Sequence, residues 1–257
     1  MENNRKYFKK TVFFIFSLIA ISVSFAFILS KDKTEEKTNV VQEINLNQSA
    51  TGNTLSLSAS VGSFHNHPLM AIWIEDMQGN YIQTIFVANS IAKGVFNYGE
   101  VDKGKWMPGE IRRPAALPYW AHKRGVKATD GLFIPDKSTP IADAYTGATP
   151  SSNFIVKAKT DKFLPDSFAV FLEVNQPWDW NDFWNNTKYL DNDAYRTSCQ
   201  PAIIYRAYMS LKDTGTVYLK LIGHSHYAGQ DGSLNTDVST LTTSLNIFKD
   251  IFVKIEN

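Results

Sequence analysis

Residues 53–61 read Asn-Thr-Leu-Ser-Leu-Ser-Ala-Ser-Val, so Leu55, Leu57 and Ala59 fall on one side of an extended chain and the serines on the other. No comparably long segment keeps a capped 3.6-residue apolar period, so the chain has to bury its apolar side chains sheet against sheet. Residues 69–75 (LMAIWIE) and 81–87 (YIQTIFV) flank Asp76-Met77-Gln78-Gly79-Asn80, whose Gly and Asn tolerate positive φ and suit a hairpin turn. Further runs at 153–159, 167–174, 202–211, 216–223 and 247–255 are rich in β-branched and aromatic residues. The expectation is all-β: an immunoglobulin-like antiparallel β-sandwich of about eight strands over residues 53–257, with a long irregular insertion at 88–152.

Charge and cysteine content narrow the function classes. The 26 basic residues face 25 acidic ones, and no long basic stretch follows the N-terminus, which leaves no footing for the phosphate neutralisation that nucleic acid requires. No nucleic-acid partner is expected. One cysteine, Cys199, supplies neither an internal disulfide nor a cysteine-cluster metal site.

Residues 1–30 point to export. Arg5, Lys6, Lys9 and Lys10 precede an uncharged run over 11–30 that is long for a signal-peptide core and about long enough to span a bilayer at ~1.5 Å per residue. Ser24-Phe25-Ala26 fits a small-x-small cleavage site, whereas Phe27-Ile28-Leu29 continues the apolar run as a signal anchor does. The segment is therefore a signal anchor or a cleaved signal peptide. The basic flank stays cytoplasmic, which puts the rest of the chain in the periplasm or extracytosolic space, tethered to the inner membrane if the signal is kept. Residues 31–52 have the Lys, Glu, Asn and Gln content of a flexible linker.

The insertion is where function is expected. Over 88–152 it holds six prolines and the basic pairs Arg112-Arg113 and Lys123-Arg124, with no strong strand signal, and loops of that length inside a domain tend to be functional. Within it lies Asp143-Ala144-Tyr145-Thr146-Gly147-Ala148-Thr149-Pro150-Ser151. A hydroxyl nucleophile that must enter another enzyme's active site needs thin, bendable backbone around it, which Gly147 and Ala148 provide, while Asp143, Thr146 and Ser151 offer local hydrogen bonds.

This run resembles the acceptor motif D-x-x-[ST]-G-A-[ST]-x-[ST] of proteins modified by the periplasmic flavin transferase. The resemblance implies covalent FMN, moved from FAD onto Thr149 and held as a phosphoester. A second resemblance spans roughly residues 68–255. It is carried by Ala71 to Asp76 with Gly79 and Thr84 to Val87, by Leu117-Pro118-Tyr119-Trp120, by Asp143 to Thr149, by Glu173 to Gln176 with Trp178 to Asn181, and by Gln200-Pro201 and Gly223-His224. These residues are similar to a bacterial periplasmic domain family of unknown function, often found near or fused to flavin transferases and membrane redox proteins. Together the two imply an electron carrier whose partners are a flavin transferase and a membrane redox protein, not an enzyme with a substrate of its own.

Other constellations compete. Trp178, Trp180 and Trp184 lie within seven residues and are candidates for stacking a sugar or a planar ring, which supports the alternative of a non-catalytic envelope module that binds glycan or a protein partner. His65/His67 and His224/His226 have the i, i+2 spacing that puts two imidazoles on one strand face, with His122 or Asp231 as further ligands, but exposed or hydrogen-bonded histidines explain them as well, and no metal is assigned. Asp179 and Asp182 imitate a glycosidase pair without a defined separation, and Asp231 to Asp237 has the oxygen spacing of a turn or a calcium loop. No G-x-S-x-G elbow is present.

Overall fold

The computed structural model describes residues 40–100, 107–213 and 215–256, and the export segment 1–30 lies outside the described residues. In chain order the strands are β1 (Gln42–Leu46), β2 (Thr54–Val61), β3 (Leu69–Asp76), β4 (Tyr81–Ala88), β5 (Val95–Glu100), β6 (Met107–Glu110) and β7 (Thr146–Gly147). They continue with β8 (Phe154–Lys159), β9 (Ser167–Asn175), β10 (Ile203–Ser210), β11 (Val217–Tyr218), β12 (Lys220–Ser225), β13 (Leu234–Asn235) and β14 (Phe248–Glu256). Three short helices join them: α1 (Asn89–Lys93), α2 (Pro118–Arg124) and α3 (Asp193–Ser198). None of the helices among the described residues is long and apolar enough to cross a membrane.

The chain is all-β. A five-stranded sheet runs β1-β8-β2-β14-β11, a seven-stranded sheet runs β13-β12-β10-β9-β3-β4-β7, and β5 and β6 form a separate hairpin. The serine alternation of β2 works as expected: Leu55, Leu57 and Ala59 turn inward beside Val156 and Val253. Opposite them, Met70, Ile72, Ile74, Val170 and Leu172 of the second sheet complete one apolar cluster, so the sheets pack face to face. The turn between β3 and β4 is closed by the Asp76 carboxylate, which accepts from the Gln78 and Asn80 amides, with Gly79 at φ 83°.

Two features depart from the sequence reading. The sheets are mixed, because β1 pairs parallel with β8 and β7 parallel with β4. Both parallel strands are edge additions of two to five residues; with the hairpin β5–β6, the short β13 and the division of the 216–223 run into β11 and β12, they make up the difference between about eight strands and the fourteen described here. The second departure is at the start of the domain: Gln42–Leu46 has linker composition, yet its alternate residues Ile44 and Leu46 reach the core, so the folded unit begins at Val41 and not near Asn53.

The insertion is a third layer. Strand β3 is buried on both faces, because the outer face of the seven-stranded sheet carries Leu69, Ala71, Trp73, Phe171 and Ile204 and has to be covered. The insertion covers it with Ile91, Leu117, Trp120 and Ile134, all buried. Helix α2 starts with Pro118, which has no amide to leave unpaired, and stops at Gly125 with φ 73°. Three polar contacts pin it. The fully buried Glu173 carboxylate accepts from the Tyr119 amide at 3.2 Å and the Trp120 amide at 2.7 Å. Thr84 Oγ1 accepts from Trp120 Nε1 at 2.9 Å, and Glu75 accepts from both Trp73 Nε1 and Lys123 Nζ.

Candidate functional site

The Asp143–Ser151 run is anchored on both sides of a short crest. Upstream, Tyr145 in the 3-10 turn Asp143–Tyr145 donates its hydroxyl to the Asp161 carboxylate at 2.6 Å, and Thr146–Gly147 then form β7 on the sheet edge beside Val87 and Ala88. Downstream, Pro150 is buried and the Ser151 amide donates to Gln42 Oε1 at 2.8 Å. Between the anchors, Ala148 is exposed and Thr149 half-buried, in irregular backbone.

Gly147 is fixed by space. A Cβ there would stand 2.7 Å from Phe86 Cε2 and 3.6 Å from Ile44 Cγ2, inside ordinary carbon–carbon contact with a phenyl ring that is itself fully buried. The other polar residues of the run serve the loop: Thr146 Oγ1 donates to the Asp143 carbonyl at 3.4 Å, and Asp143 pairs with Lys93 Nζ at 3.0 Å.

The crest borders a cleft of about 660 Å³. Its walls include Ala148 and Thr149 from the crest, Lys93 at the end of α1, Phe96 of β5, Arg113 just after β6, and Trp178 with His67 from loops beside β9 and β3. Two separate sequence candidates, the acceptor threonine and one tryptophan, thus meet in one cavity. A smaller cleft of about 520 Å³, lined by Arg112, Asp193 and Arg196 among others, lies on the other side of Trp178, which forms part of both walls.

Trp178 is unusual in two respects. It is 58% exposed, and its φ of 65° puts a bulky residue in the left-handed region, at a cost of about 1–2 kcal/mol. Backbone contacts hold it there: the Trp178 amide donates to Thr197 O at 3.2 Å, and the Gln200 amide to Asp179 O at 3.1 Å. His67, with φ 52°, lines the same cleft. Of four non-glycine residues with positive φ among the described residues, two border this cavity, a clustering typical of functional sites.

The three-tryptophan platform does not form as a unit. Trp184 is only 6% exposed and belongs to the main core, its ring within 6.2 Å of Tyr195, His224 and Tyr227 and its Nε1 donating to Thr240 Oγ1. Trp180 packs edge-on against buried Tyr195 at 5.9 Å. The loop sends Trp184 into the core and rests Trp180, partly buried, against it; of the three only Trp178 is exposed.

The basic pairs also divide. Arg112 is consumed by the insertion, bridging Asp130 and Asp136 and donating to Ile134 O. Lys123 serves Glu75, and Arg124 lies over the Trp120 ring while donating to Val126 O and Phe133 O. Arg113 alone turns to the cleft, its guanidinium 4.5 Å above the Phe96 ring. The sequence showed the pair but not which arginine was free to meet a ligand. Lys93, Phe96 and His67 carried no motif at all.

The remaining candidates stay apart. His224 is buried with Nδ1 donating to Ser225 O, His122 donates to Pro118 O, and His226 accepts from the Ala228 amide. No group of three metal-ligating side chains occurs among the described residues. Asp179 accepts from Thr243 Oγ1 and its carboxyl is pushed up by burial, whereas Asp182 is exposed. Asp231 accepts from the Ser233 amide in a simple turn, and hydrogen bonding to the Ser233 side chain and then to its amide holds the carboxyl low. Comparison with known proteins gave no matching family model, no matching curated protein and no matching solved structure.

Proposed function

We propose that this protein is an exported electron carrier bearing covalent FMN on Thr149, acting outside the inner membrane between a membrane redox protein and an extracytosolic acceptor. The observation that carries the reading is the meeting of Thr149 with Trp178 in one cleft, from positions 29 residues apart in a chain whose acceptor-like motif places its modified hydroxyl at that threonine. A cavity of about 660 Å³ falls in the range that takes cofactor-sized ligands, and Phe96 and Trp178 give it aromatic walls for a planar ring.

The residues divide the work as follows. Thr149 Oγ1 forms a bond to the flavin-side phosphorus of FAD in the transferase; the phosphoanhydride bond breaks, AMP departs, and the hydroxyl proton passes to the transferase. Exposed Ala148 and the lack of a side chain at Gly147 keep the crest slim where it enters that enzyme, while β7 and the Ser151–Gln42 contact fix how far it projects. Once attached, FMN supplies reversible two-electron, two-proton redox chemistry. Phe96 and Trp178 would flank its ring, and the 58% exposure of Trp178 puts that side chain within reach of a docked partner.

The alternative, an envelope module that stacks glycan on three tryptophans, keeps only Trp178 of its platform. The deciding experiment is expression of the full chain beside an active periplasmic flavin transferase, followed by intact mass and in-gel fluorescence under denaturing conditions. A gain of one FMN less water, on the peptide that holds Thr149 and absent from Thr149→Ala, is expected. An unmodified chain in cells where a control acceptor is modified overturns the reading.

A further inference from the structure

Arg113 has a charge that the described part of the protein does not balance. Its guanidinium is half-buried over Phe96, and among the residues whose side chains are described its Nε, sealed from solvent, has no hydrogen-bond partner and no carboxylate lies within ion-pair distance. The Nε of its neighbour Arg112 is likewise unpartnered, and the difference lies in charge: two carboxylates and a carbonyl surround the other nitrogens of Arg112. Withdrawing a cation from water is costly unless a counter-charge replaces the lost hydration, and burial does lower the proton affinity of Arg113. An anion entering the cleft removes that cost.

A second cation faces the same space. Lys93 lines the cleft from the last turn of α1, and its one ion pair among the described residues is with Asp143. Both side chains of that pair are at least half exposed, so the contact is weak and Lys93 can exchange it for a ligand. The cleft therefore offers one planar, bidentate cation and one mobile point charge beside Thr149, a combination suited to tetrahedral phosphate oxygens.

We infer that Arg113, assisted by Lys93, forms a phosphate subsite in this cleft that recognises the phosphate ester of a planar heteroaromatic ligand without any covalent bond. The ring half of that ligand rests on the flavin reading above; the phosphate half rests on Arg113 and Lys93. The subsite selects FMN over riboflavin, and in the covalently loaded protein it neutralises the remaining phosphodiester charge. Lys93 lines an adjacent cleft as well, where it meets Asp143, and exchanges that carboxylate for the phosphate.

The test uses the full chain carrying Thr149→Ala, so that covalent loading cannot intervene, titrated with FMN and with riboflavin while flavin fluorescence anisotropy is followed. FMN is expected to bind about ten- to a hundredfold more tightly than riboflavin, in line with one or two charge-assisted hydrogen bonds, and inorganic phosphate is expected to displace it. Arg113→Gln should abolish the preference, Arg113→Lys should keep part of it, and Lys93→Gln should reduce it severalfold. Equal affinities for the two flavins, no binding of either, or a preference that survives Arg113→Gln overturns the inference. These outcomes are independent of the mass measurement: a chain that takes FMN on Thr149 yet shows no phosphate preference loses only the subsite. One that prefers FMN but is never modified loses only the carrier reading.

Discussion

Gly147→Ala isolates the steric argument at the crest from any role of the glycine in recognition by a transferase. The added Cβ would lie 2.7 Å from Phe86 Cε2, about 1 Å inside ordinary carbon–carbon contact, and Phe86 is fully buried in the main core. Either the phenyl ring shifts within a close-packed core or β7 lifts off the edge beside Val87 and Ala88, so the expected loss is that of an overpacked site, about 1–3 kcal/mol. Phe86→Leu removes the obstructing ring edge at a cost of about 1 kcal/mol in the parent chain. In the double variant the two losses should fall short of their sum by at least about 1 kcal/mol, because the leucine makes room for the methyl group. Urea unfolding followed by tryptophan fluorescence measures all four proteins. If Gly147→Ala unfolds within about 0.5 kcal/mol of the parent, or if the two substitutions are simply additive, the clash is not what fixes glycine here.

The tryptophans give a contrast in stability: Trp184→Ala should lose about 3–5 kcal/mol as a core deletion, whereas Trp178→Gly should be no less stable than the parent because it relieves the left-handed backbone. Equal losses in thermal or urea unfolding would contradict the placement of these two rings. Glu173 sets a pH dependence: burial pushes its carboxyl up to about 8 despite two amide donors, so the folded chain holds a proton that the unfolded chain releases above about pH 4.5. The sign is therefore a loss of stability as pH rises from about 5 to 8, on the order of 1 kcal/mol per unit, levelling off above the folded value. Urea midpoints across that range should show the slope in the parent and lack it in Glu173→Gln. Thr149→Ala should leave the urea midpoint unchanged while removing all covalent flavin from the purified chain.

The all-β class was legible because alternation in β2 and the apolar runs of β3, β9 and β10 are local properties, readable within each strand's own sequence. The hairpin after β3 was legible for the same reason, since Asp76 and Gly79 make the turn from its own residues. The acceptor-like run 143–151 and the tryptophan-rich run 178–184 were visible too, as short patterns of residue type.

What the sequence could not show was anything that depends on a distant surface. Helices of five and seven residues are too short to display an apolar period, so the insertion read as loop although Leu117 and Trp120 cover Trp73 and Phe171. Strand β1 has the composition of a linker, and only pairing with β8, more than a hundred residues on, makes it a strand. Three tryptophans two and four residues apart looked alike until the path of the chain sent two inward and left one at the cleft. Arg112 and Arg113 are adjacent and chemically identical, and the carboxylates of Asp130 and Asp136 decide which one is occupied. Local pattern fixed the strands and the turn, because those follow from the backbone and its nearest side chains; the placing of the 143–151 run and the cleft beside it arose only when segments far apart in the chain met, because Gln42, Val87 and Asp161 anchor the run and the cleft walls come from distant segments.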